Sequence, residues 1–351
     1  MRARGIRIIT ASDDHTISIH SLPTGELIRT LKGHRGGVWS LAVTRNILVS
    51  GSTDRTVRVW DLDTGRCTHT FGGHTSTVRC VAIVRPEFID VKQDDGTTVQ
   101  EEWPKHPLIV SASRDHTLRY AEFHSSVDEG GAVEDDTETN PYHKLLLEGH
   151  DDAIRGLAAR GRTIVSGGYD CIVGVWDAIT GTCKWVLAGH TEKARVLGGM
   201  DGTVRVWNLE TGECQHVLRG HTSLVGLLSL SPSLLRVWDP DTGDHIETLV
   251  DSSLRPSAVT CSQHDGFKVL AGSDGALKMW DVQSGMELRD LLQGVVGVWQ
   301  VAFEGRWCVA ASSNVNCTML DIWDFAREDD AEWIRESPDA AYDEYSDVEE
   351  H

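Results

Sequence analysis

Two sets of residues in this chain are of types that do chemistry. The first is a group of arginines, Arg55, Arg79, Arg114 and Arg155, interleaved with Trp39, Thr53, Thr77 and Tyr169. Guanidinium groups with hydroxyl and aromatic neighbours can hold a phosphate or carboxylate through forked hydrogen bonds. The second is a recurring His, Ser, Asp and Trp: His34, Ser50, Asp54 and Trp60, then His150, Ser166, Asp170 and Trp176. A His–Asp pair beside a serine hydroxyl is also the equipment of acid–base catalysis. A reaction needs one copy, however, and a set repeated at fixed spacing points to a hydrogen-bonded structural unit. A lone arginine on a surface is likewise ordinarily an ion-pair partner. Only joint placement gives either set a function.

Placement is dictated by a repeat. Gly-His pairs end at His34, His74, His150, His190 and His221, and Trp-Asp-type ends fall at Trp60, Trp176, Trp207, Trp238, Trp280 and Trp323. A period of ~40–45 residues carrying both signatures marks a WD-repeat β-propeller, an all-β ring in which each repeat supplies one four-stranded blade. In the reference repeat, 150–187, alternation and turn residues predict strands over 152–159, 163–167, 172–176 and 183–187. In that register Arg79 and Arg155 fall on innermost strands, Arg114 and Tyr169 just before the turn aspartate, and Arg55 one residue past it. All lie near one mouth of the channel, where converging guanidiniums would form an anion trap.

The count predicts an eight-bladed ring over residues 1–325, with seven blades also possible, and several blades are incomplete. The first has three recognisable strands, at 7–12, 16–20 and 27–31, with His20 where the Trp belongs. The third carries Tyr120-Ala121 in place of Trp-Asp. Intact repeats place the Trp 26 residues after the histidine (34 to 60, 150 to 176), but from 190 to 207 and from 221 to 238 the gap is 17. The fifth blade thus lacks its innermost strand, with 196–201 aligning to 165–170. The sixth keeps an innermost strand at 224–230 and lacks the second. Either short coding segments are lost or the blades are degenerate and neighbours fill the gap. The eighth lacks an outer strand, which leaves the ring without its closing strand.

Composition sets the remaining bounds. The formal charge of −20 argues against general nucleic-acid binding. No long apolar run or charged-then-apolar leader is present, so neither a membrane partner nor secretion is expected. Eight cysteines form no C-x-x-C pair. Cys67, Cys183 and Cys214 each follow a Thr-Gly turn by two residues and are expected to face inward on outer strands of a reduced protein of the nucleus or cytoplasm. Much of the negative charge lies in a tail, 326–351, and in insertions 86–106 and 124–140, which are expected to be disordered or loose loops. Neither metal-ligand spacing nor a phosphate-cradling glycine loop occurs, so no cofactor, metal site or enzymatic activity is expected.

Several stretches go beyond the generic repeat: Gly36-Gly37-Val38-Trp39-Ser40, Gly51-Ser52-Thr53-Asp54-Arg55-Thr56-Val57-Arg58-Val59-Trp60-Asp61, Gly73-His74-Thr75-Ser76-Thr77-Val78-Arg79-Cys80, Ser113-Arg114-Asp115 and Gly297-Val298-Trp299-Gln300-Val301. They resemble the F-box/WD-repeat substrate receptors of SCF ubiquitin ligases, in the cell-division-control branch, and the insertion at 86–107 looks like that of fungal members. The resemblance implies a substrate-recognition propeller that binds phosphorylated Ser/Thr-Pro segments and directs them to ubiquitin-dependent degradation. It implies Arg79, Arg114 and Arg155 for the phosphate, with Arg55 assisting, and Trp39, Thr53, Thr77 and Tyr169 lining the rim. No helical segment precedes the first blade, so a Skp-type adaptor and cullin are expected partners only if an F-box lies upstream. The alternative is a general WD-repeat scaffold in another assembly, or a truncated receptor unable to recruit the ligase.

Overall fold

The computed structural model describes residues 2–4, 7–92, 98–122, 133–135, 143–192, 201–221, 234–250, 259–265, 267–315 and 317–325. The first sheet holds β1 (Arg2–Arg4), β2 (Arg7–Ala11), β3 (Ile17–Ser21) and β4 (Leu27–Leu31), and the second β5 (Val38–Thr44), β6 (Ile47–Ser52), β7 (Val57–Asp61) and β8 (Cys67–Phe71). After β9 (Val78–Val84) the chain makes a separate hairpin, β10 (Glu87–Lys92) and β11 (Thr98–Trp103), and then β12 (Leu108–Ser113) and β13 (Leu118–Glu122). Next, β14 (Val133–Asp135) runs parallel to β8 on the edge of the second sheet, and β15 (His143–Leu147) completes the third. The fourth sheet is β16 (Ile154–Arg160), β17 (Thr163–Gly168), β18 (Ile172–Asp177) and β19 (Cys183–Ala188).

Two two-stranded sheets follow: β20 (Thr203–Trp207) with β21 (Cys214–Arg219), and β22 (Leu234–Trp238) with β23 (His245–Val250). The seventh sheet is β24 (Val259–His264), β25 (Lys268–Ser273), β26 (Ala276–Asp281) and β27 (Glu287–Gln293). The eighth is β28 (Gly297–Glu304), β29 (Trp307–Ser313) and β30 (Thr318–Asp324). This is an all-β WD-repeat β-propeller.

The third and fourth strands of the repeats are joined by a hairpin that needs a left-handed residue. Gly65 (φ +73°) and Gly181 (φ +70°) supply it, and their amides donate to Asp61 O and Asp177 O. The Gly-His glycine has a different reason. A Cβ on Gly33 would meet the Arg58 guanidinium and the Trp60 ring at 3.0 Å, and one on Gly149 would meet Trp176 at 3.1 Å. The core lies between neighbouring sheets. Ile17 and Ile19 pack with Leu48 and Trp60, Val57 and Val59 with Val78 and Ile109, and Leu118 and Tyr120 with Ile154 and Trp176. Tyr120, in the Trp position of the third sheet, donates its hydroxyl to Ala178 O of the fourth. Ile8 and Leu22 pack on Val309, Trp307 and Ile322, so the eighth sheet meets the first through side chains.

Three expectations are corrected. The first sheet has four strands, because Arg2–Arg4 pairs antiparallel with Arg7–Ile9. The insertion at 86–106 is a paired hairpin, in register from Glu87↔Trp103 to Lys92↔Thr98; its Phe88, Ile89, Val91 and Val99 have β propensity that the surrounding carboxylates obscured. Cys183 is exposed, and Cys67 and Cys214 are only half-buried. Each sits opposite the repeat tryptophan at a register shift where the rim strand begins; Cys67 still packs against the core with Leu48 and Trp60, as expected, whereas Cys183 turns to solvent. The fifth and sixth sheets each have two described strands, and the further strand expected in each falls outside the described residues. The aligned segment 196–200 and the expected strand at 224–230 lie outside the described residues, as do the tail 326–351 and all of the 124–140 insertion except 133–135. The eighth sheet has three strands among the described residues.

Candidate functional site

The innermost strands share a local irregularity. Pairing runs Val38↔Ser52 and then Ser40↔Gly51, which leaves Trp39 out of register. The same shift leaves out Arg79 on β9, Arg155 on β16, Thr260 on β24 and Trp299 on β28. A bulge of this kind frees one residue from the ladder and re-aims its side chain. Repetition from sheet to sheet therefore turns out one side chain per repeat at equivalent places. Trp39 is 49% and Trp299 62% exposed, which is unusual for indoles. Thr260 turns the other way and donates its hydroxyl to Gly272 O and Val298 O.

A second row of positions is set by the turn after the second strand. The amides of Thr53, Arg114 and Tyr169 donate to Gly37 O, Thr77 O and Ala153 O at 2.9, 2.9 and 3.0 Å. Each residue just before the turn aspartate is thereby tied to the start of its own innermost strand. Below this face, His34 Nδ1 meets Asp54 Oδ2 at 2.8 Å and His34 Nε2 meets Ser50 Oγ at 2.8 Å, while Trp60 Nε1 donates to Ser50 Oγ at 2.9 Å. In the fourth sheet the corresponding distances among His150, Asp170, Ser166 and Trp176 are 2.7, 2.7 and 2.8 Å. His74, Asp115 and Ser111 form the third copy without the tryptophan. Burial acts to raise the Asp54 carboxyl, but hydrogen bonds from His34, the Arg35 amide and Thr56 outweigh it and hold the group well below the usual carboxylate range. Asp115 is held down in the same way by His74, Thr117 and the Thr75 amide. The turns that carry the second row are anchored by these ionised carboxylates.

The two rows bring the arginines together. The Arg79 guanidinium lies 3.8 Å from the centre of the Trp39 ring, and Arg155 lies 4.8 Å from that of Tyr169. Burial lowers the pKa of Arg79, and the neighbouring positive charges of Arg155 and Arg114 lower it further. None of these three arginines forms an ion pair with a carboxylate among the described residues. Like charges gathered without an ion-pair partner among the described residues raise the local positive potential in a chain of net charge −20. Thr77 contributes its carbonyl to the turn and is half-buried beside Arg79.

Arg55 stands apart. It occupies the left-handed position after the turn aspartate (φ 72°), as His15, His116 and Cys171 do in their repeats, and it is exposed. Thr53 is exposed on the same turn. Trp299 was not among the expected site residues. Its signal was its alignment with Trp39, in Gly-Val-Trp-Gln-Val against Gly-Val-Trp-Ser-Leu. No group of three or more potential metal ligands occurs among the described residues, and none of their helices is long and apolar enough to cross a membrane.

The WD domain, G-beta repeat family matches residues 25–61, 65–91 and 140–177. Cell division control protein 4 of Candida albicans is 41% identical over 347 residues, covering 92% of this chain and 50% of that protein. The WD repeat-containing protein pop1 of Schizosaccharomyces pombe is 36% identical over 353 residues, covering 91% and 45%. Cell division control protein 4 of Saccharomyces cerevisiae is 33% identical over 190 residues, covering 53% and 23%. The chain thus spans about half the length, or less, of the curated relatives it matches. Among solved structures, the computationally designed Ika8 protein superposes with a TM-score of 0.54 at 24% identity, covering 92% of this chain and 82% of that one; this likeness concerns the fold alone. The chain carries WD40 repeats and is homologous to WD-repeat proteins of the cell division control protein 4 kind.

Proposed function

We infer that this chain is the phosphodegron-binding propeller of an SCF-type ubiquitin ligase and that it directs phosphorylated proteins to ubiquitin-dependent degradation. The observation that carries this reading is the convergence of Arg79 and Arg114 of the third sheet with Arg155 of the fourth, none of them in an ion pair with a carboxylate among the described residues. A phosphothreonine carries two negative charges near neutral pH and three acceptor oxygens, which suits a cluster of forked donors. Trp39, stacked under Arg79, holds that guanidinium in one orientation and offers its exposed ring to an adjoining proline. Trp299, set out by the equivalent bulge, extends the apolar rim, and Tyr169 does for Arg155 what Trp39 does for Arg79. Thr53, Thr77 and Arg55 border the site. In this reading the chain binds and presents, and transfer of ubiquitin belongs to other subunits. Homology to cell division control protein 4 supports the same assignment.

The test is a pair of acidic, proline-containing peptides that differ only in phosphorylation of one threonine. The phosphorylated peptide binds and its twin does not, and Arg79→Ala and Arg114→Ala each weaken binding by about 1.5–3 kcal/mol, the range for a hydrogen bond to a charged group. Equal affinity for the two peptides, measured by calorimetry, overturns the reading.

A further inference from the structure

The row of positions that gathers arginines on one side of the face carries the opposite charge on the other. The residue that follows the second strand is Thr53 in the second sheet, Arg114 in the third and Tyr169 in the fourth, but it is Asp13 in the first and Asp274 in the seventh. The Ser12 amide donates to Thr16 O as the Ser52 and Ser113 amides donate to Thr56 O and Thr117 O, which puts Asp13 in the place of Thr53 and Arg114. Asp274 follows Ser273, and Ser273 pairs with Val259 as Ser52 pairs with Val38. Both aspartates are exposed, and neither forms an ion pair or hydrogen bond with another described residue. By contrast, Asp152 of the fourth sheet is turned onto its own loop, where it accepts from the Ala153 amide.

Each of the two carboxylates is laid against the start of the next sheet, beside an exposed indole. A Cβ on Gly37 would lie 2.6 Å from Asp13 Oδ1 and 3.3 Å from Trp39 Nε1, and one on Gly297 would lie 3.3 Å from Asp274 Oδ1. Trp299 stands two residues past Gly297 on the same bulge that carries Trp39 two residues past Gly37. The place of these glycines is taken by Thr77 and Ala153 in the third and fourth sheets, which no aspartate precedes in that row. Glycine here leaves room for a carboxylate at the edge of a tryptophan. An indole with a carboxylate at its edge receives a cation through ring face and charge together. The ring half of that pairing is already visible at Trp39, which carries the Arg79 guanidinium 3.8 Å from its centre. Trp299 is the more exposed of the two indoles, at 62%.

We propose that Asp13 with Trp39, and Asp274 with Trp299, form a cation-accepting half of the face, which takes a lysine or arginine of the same extended segment whose phosphate rests on Arg79, Arg114 and Arg155. This inference rests on the phosphodegron reading and narrows its ligand to a phosphothreonine segment with a basic residue on one flank. The seventh, eighth, first, second, third and fourth sheets pack in that order, so the face runs from carboxylates through Trp39 to guanidiniums. A basic residue on the flank that crosses Trp39 meets the aspartates, while one on the other flank stays among the arginines and is repelled. Charge arranged in this way fixes the direction of the bound segment as well as its affinity.

The test titrates the full chain with three phosphothreonine-proline peptides: a parent with glutamine on both flanks, one with lysines on the N-terminal flank and one with lysines on the C-terminal flank. One lysine peptide binds about 3–10-fold more tightly than the parent, the range for an exposed ion pair joined to a cation–π contact, and the other binds no more tightly. Asp13→Asn and Asp274→Asn each reduce that gain, and together they abolish it while binding of the parent stays phosphate-dependent. Glu210→Gln removes the same charge from an exposed site between β20 and β21 and leaves the gain unchanged. A gain that is equal on both flanks is attraction to the net negative chain, and it overturns the proposal. So does a gain that survives the double substitution, or no gain on either flank; in all three cases the phosphodegron reading stands. A parent peptide that binds no better than its unphosphorylated twin overturns that reading and this inference with it.

Discussion

The fourth and fifth sheets begin with the same Gly-His pair and end their third strand with the same tryptophan, yet only in the fourth do the described residues close the hydrogen-bond chain. In the fourth, His150 joins Asp170 on one side and Ser166 on the other, and Trp176 joins Ser166. In the fifth, His190 Nδ1 meets Asp201 and the Thr203 hydroxyl, and among the described residues its Nε2 has no partner. The two links of the histidine therefore depend on different structure. The aspartate link needs only a turn, with Asp201 holding the Thr191 and Thr203 amides, and it survives the shortening. The serine link needs a paired second strand, and none stands at that place among the described residues of the fifth sheet. A repeat signature legible in sequence thus reports the turn and the third strand, and says little about whether the blade is complete.

The largest effect that would break this comparison comes from removing the histidines. His150→Ala strands the Asp170 carboxylate, 6% exposed, and one partner of Ser166, and it is expected to cost about 3–5 kcal/mol, the range for breaking a buried pair. His190→Ala removes one link fewer and should cost about 1 kcal/mol less, the net value of one hydrogen bond. Denaturant midpoints with an unchanged slope measure both. Equal losses would mean that the serine link carries no stability in the fourth sheet.

The acid limb of stability sharpens the same contrast. Asp201 is held at a pKa of about 2, with burial acting upward and hydrogen bonds from Thr203, the Thr191 amide and His190 acting downward more strongly. Asp54 and Asp115 are depressed further. A carboxyl whose folded value lies below its unfolded value, 3.8, contributes stability that is complete above the unfolded value and is lost as pH falls through the folded one. Asp201 should therefore give up its contribution between about pH 4 and pH 2, while Asp54 and Asp115 continue to lose theirs at lower pH. Denaturation midpoints followed from pH 5 downward in Asp54→Asn and Asp201→Asn separate the two: the Asp201 variant flattens the curve only above pH 2, and the Asp54 variant also below it. Identical curves would show that the fifth-sheet aspartate is held as firmly as the second-sheet one.

Much of the positioning was legible before the fold. The strands expected at 163–167, 172–176 and 183–187 lie at Thr163–Gly168, Ile172–Asp177 and Cys183–Ala188, because alternation and Thr-Gly turns act locally. The placement of Arg79 and Arg155 on innermost strands, and of Arg114 and Tyr169 before the turn aspartate, rested on the repeat alone and holds in the registers. The bulges were not legible, since a register shift leaves no mark on composition, and Trp299 showed only through its alignment with Trp39. Arg2–Arg4 pairs by main-chain bonds with no apolar alternation to announce it. The hairpin over 87–103 was hidden by its charges, and Cys183 looked internal only until the shift opposite Trp176 turned it outward.

The smallest effect is the most discriminating. Trp176 and Trp280 are equally buried, at 3% and 4%, each in a four-stranded sheet. They differ in one partner: Trp176 Nε1 donates to Ser166 Oγ at 2.8 Å, whereas Ala271 stands at the serine position of the seventh sheet and Trp280 Nε1 has no partner among the described residues. Replacing each by phenylalanine removes the same indole volume, so the ring-size cost largely cancels in the difference. What remains is the N–H···O bond, and Trp176→Phe should lose about 0.5–1.5 kcal/mol more than Trp280→Phe. Trp207 in the fifth sheet also lacks a partner among the described residues, so Trp207→Phe should group with Trp280→Phe. If Trp207→Phe instead matches Trp176→Phe in denaturant midpoint, the indole N–H of the fifth sheet already meets an acceptor in the free chain, and the contrast between closed and open repeats fails at that atom.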